Sequence, residues 1–570
     1  MKNKIIGCLL TAMVAVGGCA EDFLEKPPID QLTDETYWTT EENVRTFAWG
    51  FYSKYFTGYG TGWTWGSYFS GQSLNDDFSP TTPPQYRLNP VTASTTTYYN
   101  FNWVRKANIF IDRIQTLPME EAAINHWVGV ARFFRAMEYS NMVNQFGDVP
   151  WIGEEVDEQD QAQIYRPRDP RAYVMDRVLE DFQFAAEHVR VSDGVSGLTV
   201  NKDVVLAFMS RAMLFEGSWQ KYHDGNNAKA SEYFEAAKWA ADQVIASGRY
   251  SLGNYRETFT SLNLAGNPEV ILYRHYEPGM LSHSLMSYNN FEPQTGVSKN
   301  AIDSYLMVDG LPISLSPNYQ GDRTREEYLS NRDGRMYETF VTDEYRVNGI
   351  IPEYSTSGIS THKFLNESIR NTPEGSSNLN IIDAPVIRYG EVLMNYVEAA
   401  AELGVLGGAG ITQEDIDKTI NVLRARPGVD MPAVQLAGEQ FSVNGVTYQD
   451  PNQDQSVSPL IWEIRRERRI ELMMEGFRLN DLRRWKKMEY TDTRENPTIN
   501  RGAWIRESDF PGLQSSVVLS EGDEGYIIPA PVEAAQRVFN NPRVYLDPIP
   551  IDQIALYREN GVTLEQNPGW

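Results

Sequence analysis

The stretch that decides the fold is residues 464–472, Ile-Arg-Arg-Glu-Arg-Arg-Ile-Glu-Leu, inside a helix predicted over 457–488. A single ridge of this helix carries glutamates spaced by four residues: Glu463, Glu467, Glu471 and Glu475. Like charges at this spacing destabilise an isolated helix. The acidic ridge therefore requires cations from other parts of the chain.

Arginines on two other predicted helices are the natural partners of this ridge. The helix predicted over 386–404 has an arginine in its first turn, and the helix predicted over 412–426 ends with two more. Guanidinium groups pair bidentately with carboxylates, which suits buried ion pairs. We therefore predict a structural ion network, and no ligand site, made of Arg388, Arg424, Arg426, Glu467, Glu471 and Glu475.

The regions before this motif show helical periodicity. Helices are predicted over 34–56, 101–117, 120–145, 170–190, 201–222 and 228–247. In the last of these, alanines face aromatic side chains, as in tightly stacked helix pairs, although no strict 34-residue repeat is visible. Residues 255–385 are rich in Gly, Pro, Asn and Ser, with a strand-like run at 270–273. The pattern predicts a mostly α fold, with a tetratricopeptide-like helical-repeat scaffold and a loop-rich lobe packed on it.

The first residues form an export signal. Lys2 and Lys4 precede an apolar run at 5–16, and Gly-Gly at 17–18 comes directly before Cys19. This order is typical of a signal peptide, and the run is too short to span a bilayer, which takes about 20 residues. The segment resembles the lipobox of bacterial lipoproteins. We expect residues 1–18 to be removed, Cys19 to carry the lipid, and residues 19–32 to form a tether.

Composition excludes several classes of function. The chain has 570 residues and a net charge of −26, which becomes −28 once Lys2 and Lys4 leave with the signal. Such an acidic protein is repelled by nucleic acid phosphates. Its two cysteines are Cys8, inside the signal, and Cys19, so neither a disulfide within the mature chain nor a cysteine metal site is expected.

No catalytic motif stands out. The chain lacks the Gly-x-Ser-x-Gly and His-Glu-x-x-His patterns, and the glycines at 58, 60 and 62 follow no predicted strand and lack a phosphate-loop lysine. A pair of carboxylates that could serve a glycosidase is uninformative among 77 acidic residues. We therefore expect a binding protein with no enzymatic activity and no cofactor.

A long excursion at 57–100 contains the best candidates for ligand contact. Flat aromatic rings stack on the apolar faces of sugars, and nearby polar groups bind the hydroxyls. Loops of this length inside a compact protein are usually functional or disordered. The candidates in the excursion are Trp63, Trp65, Tyr68, Asp77 and Arg87, and those in the loop-rich lobe are Tyr273 and Tyr288.

Several segments, in order along the chain, resemble the SusD/RagB family of nutrient-binding outer-membrane lipoproteins of Bacteroidetes. They are Ala-Arg-Phe-Phe-Arg-Ala at 131–136, Phe-Gly-Asp-Val-Pro at 146–150, Pro-Val-Ile-Arg-Tyr-Gly-Glu at 385–391, the charged block at 464–485, and Gln-Asn-Pro-Gly-Trp at 566–570. Departures are small, such as Gly390 where the family usually has alanine. The resemblance covers the whole chain after the signal.

The resemblance implies both architecture and role. It implies an N-terminal helical region over 33–255 and a C-terminal region over 256–570. It also implies a non-catalytic protein that captures an oligosaccharide or polysaccharide at the cell surface and acts as the lid of a SusC-like TonB-dependent transporter. Ala-Glu-Asp at 20–22 is similar to the surface-export signal of such lipoproteins. The alternative is a RagB-like lid that captures peptides.

Overall fold

The computed structural model describes residues 37–69, 74–79, 99–290 and 296–570. The N-terminal part is almost entirely helical. Its helices are α1 (Glu41–Trp49), α2 (Tyr52–Tyr55), α3 (Asn102–Gln115), α4 (Glu121–Phe146), α5 (Gln161–Ile164), α6 (Arg171–His188), α7 (Lys202–Trp219) and α8 (Asn227–Ala246). A short π-helical turn, Gln220–Asp224, extends α7.

The remaining helices are mostly short. They are α9 (Glu257–Thr260), α10 (Leu285–Asn290), α11 (Lys299–Asp303), α12 (Arg325–Leu329), α13 (Gly334–Thr339), α14 (Tyr389–Val405), α15 (Gln413–Asp417), α16 (Ile420–Arg424), α17 (Pro459–Glu471), α18 (Arg478–Arg484), α19 (Pro531–Ala534) and α20 (Ile551–Glu559). Within the described part of the chain, no helix is both long and apolar enough to cross a membrane.

The long helices stack side by side to form the scaffold. Each of the pairs α3–α4, α4–α6, α6–α7 and α7–α8 packs along its length, and α14 returns from the C-terminal half to pack on α8. One apolar core runs through the stack, where the rings of Phe51 and Phe134 lie parallel with centroids 4.7 Å apart. The predicted mostly α architecture is confirmed.

Local signals in the sequence fix the ends of these helices. The side chain of Asn201 accepts a hydrogen bond from the Val204 N–H and so caps α7. Ser458 caps α17, and Pro459 occupies the first turn, where its missing N–H costs nothing. These caps place the charged face of α17 in a defined register against the scaffold.

The loop-rich lobe has its own apolar core and a few short strands. All strand pairs are antiparallel: β1 (Gly60–Thr61) with β2 (Thr64–Trp65), β3 (Phe78–Ser79) with β5 (Gly296–Val297), β4 (Val270–Arg274) with β6 (Ala384–Arg388), β7 (Val434–Ala437) with β8 (Gln440–Val443), β8 with β9 (Val446–Tyr448), and β10 (Trp504–Arg506) with β11 (Glu524–Tyr526). The strand predicted at 270–273 is β4. Because β6 leads directly into α14, the β4–β6 pair joins the lobe to the scaffold.

Two predicted helices are interrupted. The helix predicted over 457–488 is wrong as a single element, because the chain leaves the helix after Glu471 and turns before Arg478. Met474 and Gly476 have positive φ angles of 67° and 83° in this turn. The helix predicted over 412–426 is likewise split into α15 and α16. Glu475 therefore lies beyond the end of α17, although its spacing continues the acidic ridge.

Candidate functional site

The acidic ridge of α17 is buried and meets arginines from distant parts of the chain. Glu467 accepts hydrogen bonds from Arg424 Nε at 2.7 Å and from Arg335 Nη2 at 3.0 Å. Glu471 accepts from Arg388 Nη1 at 2.8 Å, from Arg426 Nη2 at 3.0 Å and from Arg335 Nη1 at 3.2 Å. Each carboxylate is thus held by at least two guanidinium groups.

Arg388 connects the ridge to the turn that follows α17. Its Nε and Nη2 donate to the two oxygens of Glu475 at 2.9 and 2.6 Å, while Nη1 also contacts Glu269 at 2.8 Å. Lys363 donates to the same Glu475 at 2.8 Å. Arg426 closes the group through Glu269, with Nη1 to Oε2 at 3.0 Å.

These side chains form a buried cluster with equal numbers of positive and negative charges. The ion cluster contains Arg335, Lys363, Arg388, Arg424 and Arg426 together with Glu269, Asp333, Glu467, Glu471 and Glu475, all of them buried. Burying charges is costly unless each is paired and hydrogen-bonded. This cluster meets that condition, because every charged side chain in it has at least one partner of opposite charge, so it serves the structure.

The pKa values in the cluster follow from this pairing. Burial alone raises the pKa of Glu471, but Arg426, Arg388 and Arg335 outweigh burial and lower it to about 2. Burial lowers the pKa of Lys363 to about 8, although Glu475 opposes the shift. Arg335, Lys363, Glu269 and Asp333 were not predicted as members, because they lie far from α17 in sequence and share no spacing with its ridge.

A second set of ion pairs attaches the segment 74–79 to the same region. Arg469 Nη2 contacts Asp77 Oδ1 at 2.6 Å, and Arg478 Nε donates to Asp76 Oδ1 at 2.7 Å. Both aspartates are buried. The carboxylate of Asp77 is thus held by Arg469, and its contact with a ligand stays a prediction.

An exposed tryptophan stands at the tip of the β1–β2 hairpin. Gly60 pairs with Trp65 and Thr61 with Thr64, which leaves Gly62 and Trp63 at the turn. Gly60 has a φ of 91°, and a Cβ there would lie 2.1 Å from the Thr64 carbonyl oxygen, so only glycine fits. The Trp63 side chain is 59% exposed. A tight hairpin thus presents a large ring to solvent.

Hydrogen bonds from the lobe hold this hairpin in place. The Gly62 N–H donates to the Ser282 carbonyl oxygen at 2.7 Å. Arg274 Nη2 donates to Thr61 Oγ1 at 3.0 Å, and the Tyr276 hydroxyl donates to the Gly60 carbonyl oxygen at 2.8 Å. The position of Trp63 is therefore fixed by the surrounding fold.

Two exposed apolar side chains lie close in sequence to residues that contact the hairpin. Met280 is 80% exposed and lies two residues before Ser282, and Leu379 is 47% exposed and follows Asn378. Ser282 Oγ donates to the Asn378 carbonyl oxygen at 2.7 Å, which ties these segments together. We define the Trp63 surface as Trp63, Met280, Asn378 and Leu379. The last three were missed because single exposed residues in loops leave no periodic signal.

Two other predicted ligand residues are buried. Tyr68 is 8% exposed, and its hydroxyl donates to the Pro385 carbonyl oxygen at 2.6 Å. Tyr273 lies in a small apolar cluster with Leu264 and Val270. Both rings pack in apolar clusters of the lobe, and their contact with a ligand stays a prediction.

The other predicted residues are only partly described. Trp65 lies on β2 and Tyr288 on α10, but their side chains are outside the described part. Ser287 Oγ donates to the Ser377 carbonyl oxygen at 2.5 Å, so α10 packs beside the segment that also supports Trp63. Cys19 and Arg87 lie outside the described residues.

Comparison with known proteins assigns the chain to a protein family. The model of the SusD family matches residues 273–570, just over half of the chain. The chain belongs to the SusD family. Among curated relatives, the SusD-like protein P38 of Formosa agariphila is 24% identical over 517 residues, which cover 85% of this chain and 92% of that protein.

Solved structures of the SusD family share the fold. A SusD-like carbohydrate-binding protein from Bacteroides fragilis superposes with a TM-score of 0.66 at 22% identity, over 92% of this chain and 99% of its own. A laminarin-binding SusD-like protein gives a TM-score of 0.54 at 17% identity, over 93% of this chain and 100% of its own. The predicted SusD-like, tetratricopeptide-type scaffold is confirmed by these similarities.

Proposed function

We propose that this SusD-family protein is a lipid-anchored surface protein that captures an oligosaccharide or polysaccharide and passes it to a SusC-like TonB-dependent transporter. The observation that carries the proposal is the exposed Trp63 ring on a hairpin fixed by the lobe. Sugars without charge bind through stacking on aromatic faces and through hydrogen bonds to hydroxyls. The Trp63 surface supplies the ring, and Asn378 supplies an amide beside it.

The glycan class is supported by relatives and by the surface itself. Similar structures include proteins described as carbohydrate-binding, laminarin-binding and glycan-binding. A hairpin that is already rigid loses little entropy when a ligand binds, so more of the stacking energy appears as affinity. Capture and transfer without chemistry would require no catalytic group.

Isothermal titration calorimetry tests this proposal. The panel of ligands is laminarin, xyloglucan, arabinoxylan, inulin and a tryptic peptide mixture. We expect the wild-type protein to bind at least one polysaccharide, and Trp63→Ala to weaken that binding about fivefold to tenfold, since a ring contact is worth on the order of 1 kcal/mol. Trp239→Ala is the matched control, because Trp239 is 47% exposed on α8. Equal losses in both variants would argue against a site at Trp63.

The same panel decides between the two kinds of nutrient. Binding to the peptide mixture alone would favour the peptide-capturing alternative and would overturn the glycan proposal. Anchoring is tested separately by Cys19→Ala in the producing bacterium. We expect that variant to leave the membrane fraction, whereas an unchanged distribution between fractions would contradict a lipid anchor at Cys19.

A further inference from the structure

A cavity of about 740 Å³ lies against a different face of α17 from the one that carries the ion cluster. Trp462, Arg466 and Arg469, spaced by four and three residues, form its helical wall. Loops around 312–314, 450–454 and 487–498 form the other walls. This volume is within the range of about 300–1,000 Å³ typical of small-molecule sites. None of its lining residues belongs to the Trp63 surface.

The charges in the cavity wall are largely paired with one another. Arg478 contacts Asp76 at 2.7 Å, and Lys487 contacts Asp454 at 2.7 Å. Arg466 Nη2 contacts Asp450, and Arg466 Nε contacts Glu463 at 3.1 Å. Pairs of this kind leave no strong excess of either sign. The wall therefore favours an uncharged polar ligand over an anion or a cation.

The remaining lining groups suit a sugar. Amides and hydroxyls both donate and accept hydrogen bonds, as the hydroxyls of a sugar require. Indole and phenol rings offer flat apolar faces for the C–H surface of a pyranose. The groups of both kinds in the wall are Ser314, Asn452, Asn496 and Thr498, with Trp462 and Tyr490.

Two residues in this wall carry donors that lack acceptors within the described chain. Arg465 is 5% exposed and lines the cavity, yet its Nε and Nη1 have no hydrogen-bond partner, and its Nη2 reaches Glu402 only at 3.4 Å. Trp462 Nε1 is also without a partner. Buried donors in proteins are nearly always paired. A ligand rich in oxygen would bring acceptors that the wall itself does not provide.

We propose that this cavity is a second saccharide-binding site, which takes a neutral segment of the same glycan that binds at the Trp63 surface. This inference rests on the proposed function, because it assumes a glycan ligand. Two sites on one chain would engage a long polymer together. The second contact would then be intramolecular, so affinity for a polymer would exceed affinity for a short fragment.

The test compares a short oligosaccharide with its parent polymer. Laminarihexaose and laminarin are the first probes, followed by the hexamer and polymer of any other neutral polysaccharide in the panel that binds. We expect calorimetry to give two hexamers per wild-type chain. Asn452→Trp should block the cavity, because Asn452 is exposed at its wall and can be enlarged without disturbing the core. That variant should bind one hexamer and bind the polymer at least about tenfold more weakly.

A second variant separates binding from folding. Trp462→Phe keeps an aromatic ring in place but removes the N–H donor, so it should retain the wild-type thermal unfolding curve and weaken hexamer binding at one of the two sites. Trp63→Ala should weaken hexamer binding at the other site about fivefold to tenfold and leave the cavity site intact. Trp239→Ala should change neither.

The outcomes are distinct. The second site is rejected if both cavity variants keep the stoichiometry and polymer affinity of the wild-type protein while Trp63→Ala binds more weakly. The proposed function would still stand in that case. Failure of every polysaccharide to bind the wild-type protein would overturn the proposed function and this inference with it. A third outcome is that the wild-type protein binds one hexamer per chain. If that binding is lost in both cavity variants and kept in Trp63→Ala, the result supports the cavity as a site and rejects the Trp63 surface.

Discussion

The segment around α17 and the β1–β2 hairpin use polar and aromatic residues in opposite ways. In the first, carboxylates and guanidinium groups are buried and satisfy one another, as Glu471 and Arg388 do at 2.8 Å. In the second, a tryptophan that could have joined the core is 59% exposed, and backbone hydrogen bonds support it. The most recognisable motif of the chain therefore maintains the fold, whereas a short turn without a motif exposes the ring that we propose for binding.

This difference separates stability from binding. Changes in the ion cluster should unfold the protein and affect binding only through folding. Changes at the hairpin tip should affect binding and leave stability almost unchanged. Variants at both places test this separation.

Arg388→Met should cause the largest loss in the free energy of unfolding. This substitution leaves Glu269, Glu471 and Glu475 buried with fewer cations, and removing one partner of a buried ion pair costs about 3–5 kcal/mol. Urea unfolding followed by circular dichroism measures the change. Arg506→Met is the control, because its ion pair with Glu524 is half exposed and worth at most about 1 kcal/mol. Similar losses in the two variants would contradict a structural role for the cluster.

Gly476→Ala should cause the second largest loss in the free energy of unfolding. A Cβ at Gly476 would lie 2.2 Å from the Ser67 carbonyl oxygen, and the φ of 83° already disfavours alanine. Together, overlap and backbone strain should cost about 3 kcal/mol in the free energy of unfolding. In Gly445→Ala the φ is similar, at 79°, but no atom lies within 4 Å. That control should lose only about 1 kcal/mol, and an equal loss would show that overlap with Ser67 is unimportant.

Acid should weaken the cluster through Glu471. Its pKa in the folded protein is about 2, below the ordinary value of 4.5, so its stabilising contribution is complete above pH 4.5 and is lost as the pH falls toward 2. By pH 3 the loss should be about 2 kcal/mol. Urea unfolding at pH 7 and pH 3 measures it, and Glu471→Gln should show a smaller change between the two values. The same pH dependence in the variant would refute this assignment.

The smallest effect on stability should come from Trp63→Ala. An exposed side chain away from core, caps and ion pairs typically changes the free energy of unfolding by less than about 0.5 kcal/mol. Thermal unfolding should therefore match that of the wild-type protein, while glycan binding falls as proposed above. A large drop in melting temperature would mean that the Trp63 ring packs against the fold and is not a free surface.

The sequence predicted the helices of the scaffold well, because long periodic segments such as 120–145 carry their own signal. It did not distinguish buried from exposed residues among the site candidates. Tyr68, Tyr273 and Asp77 lie in aromatic or polar stretches that look suited to a ligand, yet the structure buries them. Composition cannot tell an aromatic ring that fills a core from one that faces solvent, since both occur in the same loops.

The need of the acidic ridge for cations follows from the sequence, because helical geometry alone places Glu463, Glu467 and Glu471 on one side of a helix. The tertiary structure decided which cations these are, including Arg335 and Lys363, since contacts between residues more than a hundred positions apart leave no local pattern. It also decided that the helix ends at Glu471 and that Trp63 stands exposed, because both depend on what packs against the chain there.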